Sequence, residues 1–255
     1  MLGAIAGDII GSRFEVIPTK SRDFDLFSDL NVYTDDTVLT IAVADAILYH
    51  RSYEESLRNF GRRYPDAGYG GSFVKWLSGM IPGPYNSYGN GSAMRVSPVG
   101  FAFSSRDKVL EEAKKTAVVS HDHPEGIKGA QAIALGVFLA RSGYDKKQIR
   151  SELENSFGYD LSRSLQQIRP GYVFEVSCQR SVPESIIAFL ESDDFIGAIR
   201  NAISLGGDSD TMACMAGALA QAYYGDIPRT ITKEVYRRIP EEFKEIVIVF
   251  EEHHL

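Results

Sequence analysis

Two runs of acids and hydroxyls, each placed directly before an unusually apolar helical stretch, constrain this chain more than any other feature. The first is Thr34-Asp35-Asp36-Thr37, followed by Val38, Leu39, Ile41, Ala42, Ala44, Ala46, Ile47 and Leu48. The second is Gly206-Gly207-Asp208-Ser209-Asp210-Thr211, followed by the Ala-rich run from Met212 to Tyr224, which stops near Gly225 and Pro228. Helices that are apolar on several sides must be buried. Their first turns carry free N–H groups, and one Asp, Ser or Thr suffices to cap them. Capping explains one acid at each site but not two. If the two helices pack with their N-termini together, up to four carboxylates converge, and like charges at that density repel unless a cation sits among them. The donors are all oxygens, with neither Cys nor His in either run, which selects Mg2+ or Mn2+ over zinc. Four carboxylates can neutralise two divalent ions, which suggests a binuclear centre with ions about 3.5–4 Å apart.

The rest of the chain reads as helical. Residues 53–63 are amphipathic, with Leu57 and Phe60 opposite Glu54, Glu55, Arg58 and Arg62. Residues 107–119, 183–191, 194–204 and 240–252 also read as helices, and 124–141 as a long one rich in Gly and Ala that opens on Pro124. Gly3, Gly7 and Gly11 recur every fourth residue and form a helix face that can pack backbone to backbone; Asp8 lies inside that helix. Glu15 falls near its C-terminal end, where the helix dipole disfavours a carboxylate. The only fair strand candidate is Val173 to Val176, as a short edge. Gly- and Pro-rich segments at 65–72 and 82–92 look like site loops rather than domain boundaries. With no repeat and no low-complexity linker, the reading is one compact all-α domain over residues 1–255, an orthogonal helical array around the binuclear metal site.

Charge and composition exclude several classes. Lys and Arg number 27 against 34 Asp and Glu, a net charge of −7 that argues against a nucleic-acid backbone as the main partner. It does not exclude a small phosphate-bearing ligand. Cys178 and Cys214 stand in no metal spacing and read as reduced thiols, which fits a cytoplasmic setting. The N-terminus has no basic region and Asp8 interrupts its apolar run, so no signal peptide is expected. No uncharged apolar stretch approaches about 18 residues, so no membrane span is expected.

Tyr85-Asn86-Ser87-Tyr88-Gly89-Asn90-Gly91-Ser92-Ala93-Met94-Arg95 reads as a glycine-rich turn entering a helix, a place where free N–H groups can meet an anion. It is not a Walker loop, because no Gly-Lys-Ser/Thr follows. Gly68-Tyr69-Gly70-Gly71-Ser72 is a weaker version. Tyr69, Tyr85 and Tyr88 can stack a base or simply pack. In Ser120-His121-Asp122-His123-Pro124, helix capping and ligand contact are both open for the two histidines. No Gly-x-Ser-x-Gly elbow supports a serine hydrolase.

Taken together these segments resemble the ADP-ribosylglycohydrolase family, which includes dinitrogenase-reductase-activating glycohydrolase and the ADP-ribosyl-acceptor hydrolases. The matching pieces are Gly3-Ala4-Ile5-Ala6-Gly7-Asp8 with Gly11 and Glu15, Tyr33-Thr34-Asp35-Asp36-Thr37, Ser87 to Arg95, Ser120 to Glu125, and Gly206 to Thr211, in the family's order. The resemblance implies an all-α fold holding two Mg2+, or Mn2+ in some members, on Thr34, Asp35, Asp36, Asp208, Asp210 and Thr211. It puts the family's catalytic glutamate on Glu15, and contacts to diphosphate and adenosine on Gly71, Ser87, Tyr88, Gly89, Asn90 and His121. The implied reaction is hydrolysis at the anomeric carbon of ADP-ribose attached to a protein side chain, by a water that is metal-held or deprotonated by Asp35, Asp36 or Glu15. Two other readings share the same site: hydrolysis of a free derivative such as O-acyl-ADP-ribose, and a non-catalytic ADP-ribose-binding module. Residues 143–182 and the C-terminal tail match no motif of the family.

Overall fold

The computed structural model describes residues 1–254, which form fifteen helices. The first five are α1 (Leu2–Val16), α2 (Asp35–Leu48), α3 (Tyr53–Arg63), α4 (Gly71–Leu77) and α5 (Gly91–Met94). Next come α6 (Ser97–Ala102), α7 (Arg106–Val118), α8 (Pro124–Arg141), α9 (Lys146–Phe157) and α10 (Leu165–Ile168). The last are α11 (Cys178–Leu190), α12 (Phe195–Ile203), α13 (Ser209–Tyr224), α14 (Arg229–Arg238) and α15 (Glu241–His254). No described helix is long and apolar enough to cross a membrane.

The tightest packing in the molecule joins α1 to α13, and glycine makes it possible. A Cβ on Gly3 would overlap the carbonyl of Gly217, one on Gly7 the carbonyl of Ala213, and one on Gly11 the carbonyl of Ser209. The every-fourth-residue stripe therefore brings the two backbones into direct contact over about two turns. Both helices are buried nearly all round, as their mostly apolar sequences require. Because Gly11 lies against Ser209 and Asp210, the seam also brings the C-terminal half of α1 to the N-terminus of α13. The other buried helices, α2, α8, α11 and α12, complete one continuous apolar core that runs from Met1 to Phe250.

Three readings of the sequence change. Val173 to Val176 forms no strand; the segment makes one antiparallel bridge, Gly89 with Ser177. The helix expected to open at residue 183 begins at Cys178 and carries Pro183 inside it. Proline removes one N–H, and the carbonyl left over belongs to the exposed Gln179, where water can take it. The polar helices α9 and α14 have no clear signal in the sequence. Each buries only two side chains, Ile149 and Leu153 in α9 and Ile231 and Val235 in α14, too few for a clear apolar period. What ends α9 is local chemistry: a capping box between Asp145 and Gln148 at its start and Gly158 at φ 65° after its end.

Replacing Gly7 by alanine raises intrinsic helix propensity yet forces the α1–α13 seam apart. We expect Gly7→Ala to cost about 1–3 kcal/mol in chemical denaturation. Gly171→Ala, at an exposed position with nothing within 4 Å of the added atom, should stay within about 0.5 kcal/mol. Equal stability of the two variants would contradict the packing described.

Candidate functional site

The N-termini of α2 and α13 meet beside Asp8, in the middle of α1. Asp8 is wholly buried. Its carboxylate accepts from the Thr34 amide at 2.9 Å, the Thr34 hydroxyl at 2.8 Å, the Thr37 amide at 3.1 Å and the Thr37 hydroxyl. A carboxylate from 26 residues earlier in the chain thus caps the first turn of α2. The local signal at Thr34 is real but weaker, an acceptance from the Asp36 amide at 3.3 Å.

Asp36 and Asp210 approach each other from the two first turns. Thr211 donates its hydroxyl to Asp36 Oδ2 at 3.2 Å, and the Thr34 hydroxyl, whose proton goes to Asp8, lies 3.3 Å from the same oxygen. The other oxygen, Asp36 Oδ1, is buried with no hydrogen-bond partner among the described residues. Asn90 holds Asp208 from the glycine-rich turn, Nδ2 to Oδ2 at 2.7 Å. Two groups of three carboxylates have ligand atoms within 4.8 Å of one another: Asp8, Asp36 and Asp210, and Glu15, Asp208 and Asp210. Asp210 belongs to both, so the arrangement could hold a pair of cations. A buried carboxylate oxygen without a donor, in a donor set made only of oxygens, fits hard divalent ions.

The electrostatics agree with that fit. Burial, then Asp8 and Asp208, push the Asp35 carboxyl from 3.8 to about 8. Burial raises Asp8 to about 6 in spite of its four donors. Asp36 and Asp210 lie well above the usual carboxylate range, through burial first and then their acidic neighbours. Burial raises Asp208 too, and Glu15 is raised by partial burial and by Asp208 and Asp8. Without cations the cluster holds protons instead.

All of these acids except Asp8 line a cavity of about 360 Å3. Glu15, Thr34, Asp35, Asp36, Asp208, Asp210 and Thr211 line it together with Gly71, Ser87, Gly89, Asn90 and His121. Among the residues singled out in the sequence, Tyr88 stands apart: its ring is half exposed and set edge-on to His123, outside the cavity lining. The two histidines also separate. His123 caps α8, its Nδ1 accepting from the Glu125 amide at 3.0 Å, while His121 faces the cavity. The glycine-rich turn is less open than its sequence suggests. The Asn90 amide donates to the Val176 carbonyl at 2.8 Å and the Gly89 amide to Ser87 Oγ at 3.2 Å.

Four residues that the sequence does not place at the site belong to it. Asp8 joins the acid cluster, and its signal was a lone acid inside a stripe of small residues. Arg95 lines the cavity though wholly buried, the one cation in the run Ala93-Met94-Arg95-Val96. Phe174 and Val176 form a wall from an irregular segment, where no periodicity points to them.

A family model for ADP-ribosylglycohydrolase matches residues 1–254. ADP-ribosylhydrolase ARH3 of Homo sapiens is 30% identical over 309 residues, covering 88% of this chain and 84% of that protein. Its Gallus gallus counterpart is 31% identical over 258 residues, covering 76% of this chain and 70% of that protein. ADP-ribosylarginine hydrolase Tri1 of Pseudomonas putida (strain GB-1) is 27% identical, covering 88% of this chain and 69% of that protein. A solved ADP-ribosylglycohydrolase-related protein complex shares the fold, with a TM-score of 0.74 at 23% identity over 100% of this chain and 96% of the other. The class is a helical glycoside hydrolase. The chain belongs to the ADP-ribosylglycohydrolase family.

Carboxyls raised from 3.8 to about 6 and about 8 keep protons in the folded chain that the unfolded chain has already released. Folding of the metal-free protein therefore weakens as pH rises through that window. Divalent cations replace those protons. The melting-temperature gap between Mg2+-saturated and EDTA-treated protein should widen from about pH 5 to about pH 8. A gap that is constant or narrows would contradict the acid cluster as a cation site.

Proposed function

We propose that the protein is a Mg2+-dependent hydrolase, with Mn2+ able to substitute, that cleaves the N- or O-glycosidic bond at the anomeric carbon of ADP-ribose attached to a protein side chain. The observation that carries this is a single cavity lined both by a cluster of carboxylates and by His121 with the buried cation Arg95. Its volume, about 360 Å3, suits a ligand of this class. The acid cluster would take the ribose, and the glycine-rich turn with Ser87 and His121 would take the diphosphate. The two buried free cysteines fit a reducing compartment, and we assign the protein to the cytoplasm.

Thr34, Asp35, Asp36, Asp208, Asp210 and Thr211 would hold two cations, with Asp8 holding the Thr34–Thr37 turn in register beneath them. When bound, the cations supply charge neutralisation and Lewis acidity toward the ribose hydroxyls and the attacking water. Asn90 fixes the Asp208 carboxylate and the Thr211 hydroxyl fixes Asp36, whose other oxygen has no donor and would be available to a cation. Glu15 stands on the last turn of α1 at the cavity wall, and its raised pKa suits a group that moves a proton. It would take one from the attacking water or give one to the departing acceptor as positive charge builds at the anomeric carbon. Asp35, with no side-chain hydrogen bond among the described residues, is the second group free to move a proton. Ser87, Gly71 and the wall formed by Phe174 and Val176 would confine the nucleotide and so orient the ribose.

Release of ADP-ribose from arginine-, serine- and O-acyl-linked substrates, with Mg2+, Mn2+ or EDTA, tests the reading. Asp36→Ala and Asp210→Ala should reduce metal-dependent release to background, and Glu15→Gln should lower kcat by about 100-fold or more while ADP-ribose still binds. Full activity of either aspartate variant, or of the native chain in excess EDTA, would overturn the two-metal mechanism. Turnover of the O-acyl compound alone would move the substrate to free ADP-ribose derivatives. Binding without any turnover in saturating Mg2+ would make the protein a binding module.

A further inference from the structure

We propose that Arg95 and Ser120 are positioning residues that hold His121 in a single tautomer, with its proton on Nε2 as a fixed donor toward an anion seated beside the glycine-rich turn. That the anion is the diphosphate of ADP-ribose rests on the function proposed above; the tautomer does not.

The argument is a count of donors and acceptors. A guanidinium only donates. Arg95 Nη2 donates to the Thr116 carbonyl at 2.8 Å and to Ser120 Oγ at 2.9 Å. Ser120 Oγ therefore already accepts one hydrogen bond, and it has a single proton to give. Its neighbour at 2.8 Å is His121 Nδ1. If the hydroxyl donates there, Nδ1 carries a lone pair and the proton of the neutral ring lies on Nε2. The competing arrangement puts a proton on Nδ1, aims two N–H groups at one hydroxyl oxygen, and sends the serine proton toward the phenol of Tyr85, which lies beside it.

The charge on Arg95 decides between them. Arg95 and Ser120 are both wholly buried. No carboxylate lies within hydrogen-bond reach of the guanidinium, whose Nε and Nη1 have no partner among the described residues. Asp35 acts on it through space without pairing with it, and the cation favours the ring orientation whose lone pair, not its N–H, points back toward it. A hydroxyl that accepts from a cation is also a stronger donor to the next group. Burial and Arg95 hold the His121 imidazolium well below 6.5, so the ring stays neutral near pH 7 and has one N–H to give.

That N–H has somewhere to go. Nε2 has no hydrogen-bond partner among the described residues, and it faces the glycine-rich turn. A Cβ on Gly91 would come within 3.1 Å of it and one on Gly89 within 3.7 Å. The two glycines leave this edge of the ring bare inside the cavity. An anion there meets a donor whose direction was set before binding, by a chain running from the protein interior through Ser120.

Nitrogen-15 spectra of the ligand-free protein, with the His121 signals assigned by His121→Gln, read the tautomer directly. The expected result is a protonated Nε2 and a pyridine-type Nδ1 in the native chain. In Ser120→Ala the signals should move toward the other tautomer, and ADP-ribose affinity in the presence of Mg2+ should fall about tenfold. A merely structural role for Ser120 would leave the tautomer unchanged. A protonated Nδ1 in the native chain overturns the proposal. So does a Ser120→Ala variant with native tautomer and native affinity. Should Ser120→Ala fail to fold, the native spectrum decides alone. A native chain with the predicted tautomer that does not bind ADP-ribose would refute the functional reading and leave the positioning of His121 standing.

Discussion

The backbone contact between α1 and α13 is the constraint from which the rest follows. Three glycines on α1 and one on α13 let the two helices touch without side chains between them. The separation of their axes is thereby fixed by main-chain atoms, which do not change rotamer. Asp8 rides on α1 between Gly7 and Gly11 and reaches the first turn of α2, so α2 is referenced to the same seam through four hydrogen bonds. The carboxylates of α1, α2 and α13 are consequently held by one rigid unit. Like charges can be kept this close only if the scaffold does not yield, and a backbone seam yields least.

The cavity carries charge of both signs. Acids crowd together, and their raised pKa values measure how strongly the site calls for compensating positive charge. Arg95, in the same lining, is buried with no carboxylate hydrogen-bonded to it and is linked through Ser120 to a neutral histidine. A molecule that carries both a polyhydroxylated ring and a phosphate anion matches this polarity better than a purely neutral or purely cationic one. The net charge of the chain, −7, reports none of this, since it sums over both signs.

How much of this could be read from the chain depended on whether a feature was local. The acid runs at 34–37 and 208–211 announce themselves because each sits at the start of a buried helix, and the glycine stripe of α1 is periodic. Asp8 was visible as an acid in an apolar helix, but its four donors come from 26 and 29 residues away, and no local pattern encodes them. The two histidines at 121 and 123 are equivalent in sequence. Only the fold turns one toward α8 as a cap and the other toward the cavity. Tyr88 sits in the motif yet swings its ring outward onto His123. The segment after α10 carries no period because its placement depends on a single bridge to Gly89 and on Lys20, which donates to the carbonyls of Tyr172 and Leu205.

That last segment has a particular freedom. Residues 173–176 meet the glycine-rich turn through the Val176 carbonyl, which accepts from the Asn90 amide, while the Cys178 amide and thiol just after them donate to the carbonyls of Tyr88 and Gly89. Backbone pairing is indifferent to what the side chains are. Val173, Phe174 and Val176 are each about half exposed, at the rim rather than in the core. Substitutions there can reshape one wall of the cavity without touching the seam, the acid cluster or the histidine. The molecule thus separates a rigid floor, held by backbone contact, from a wall whose side chains can change without disturbing it.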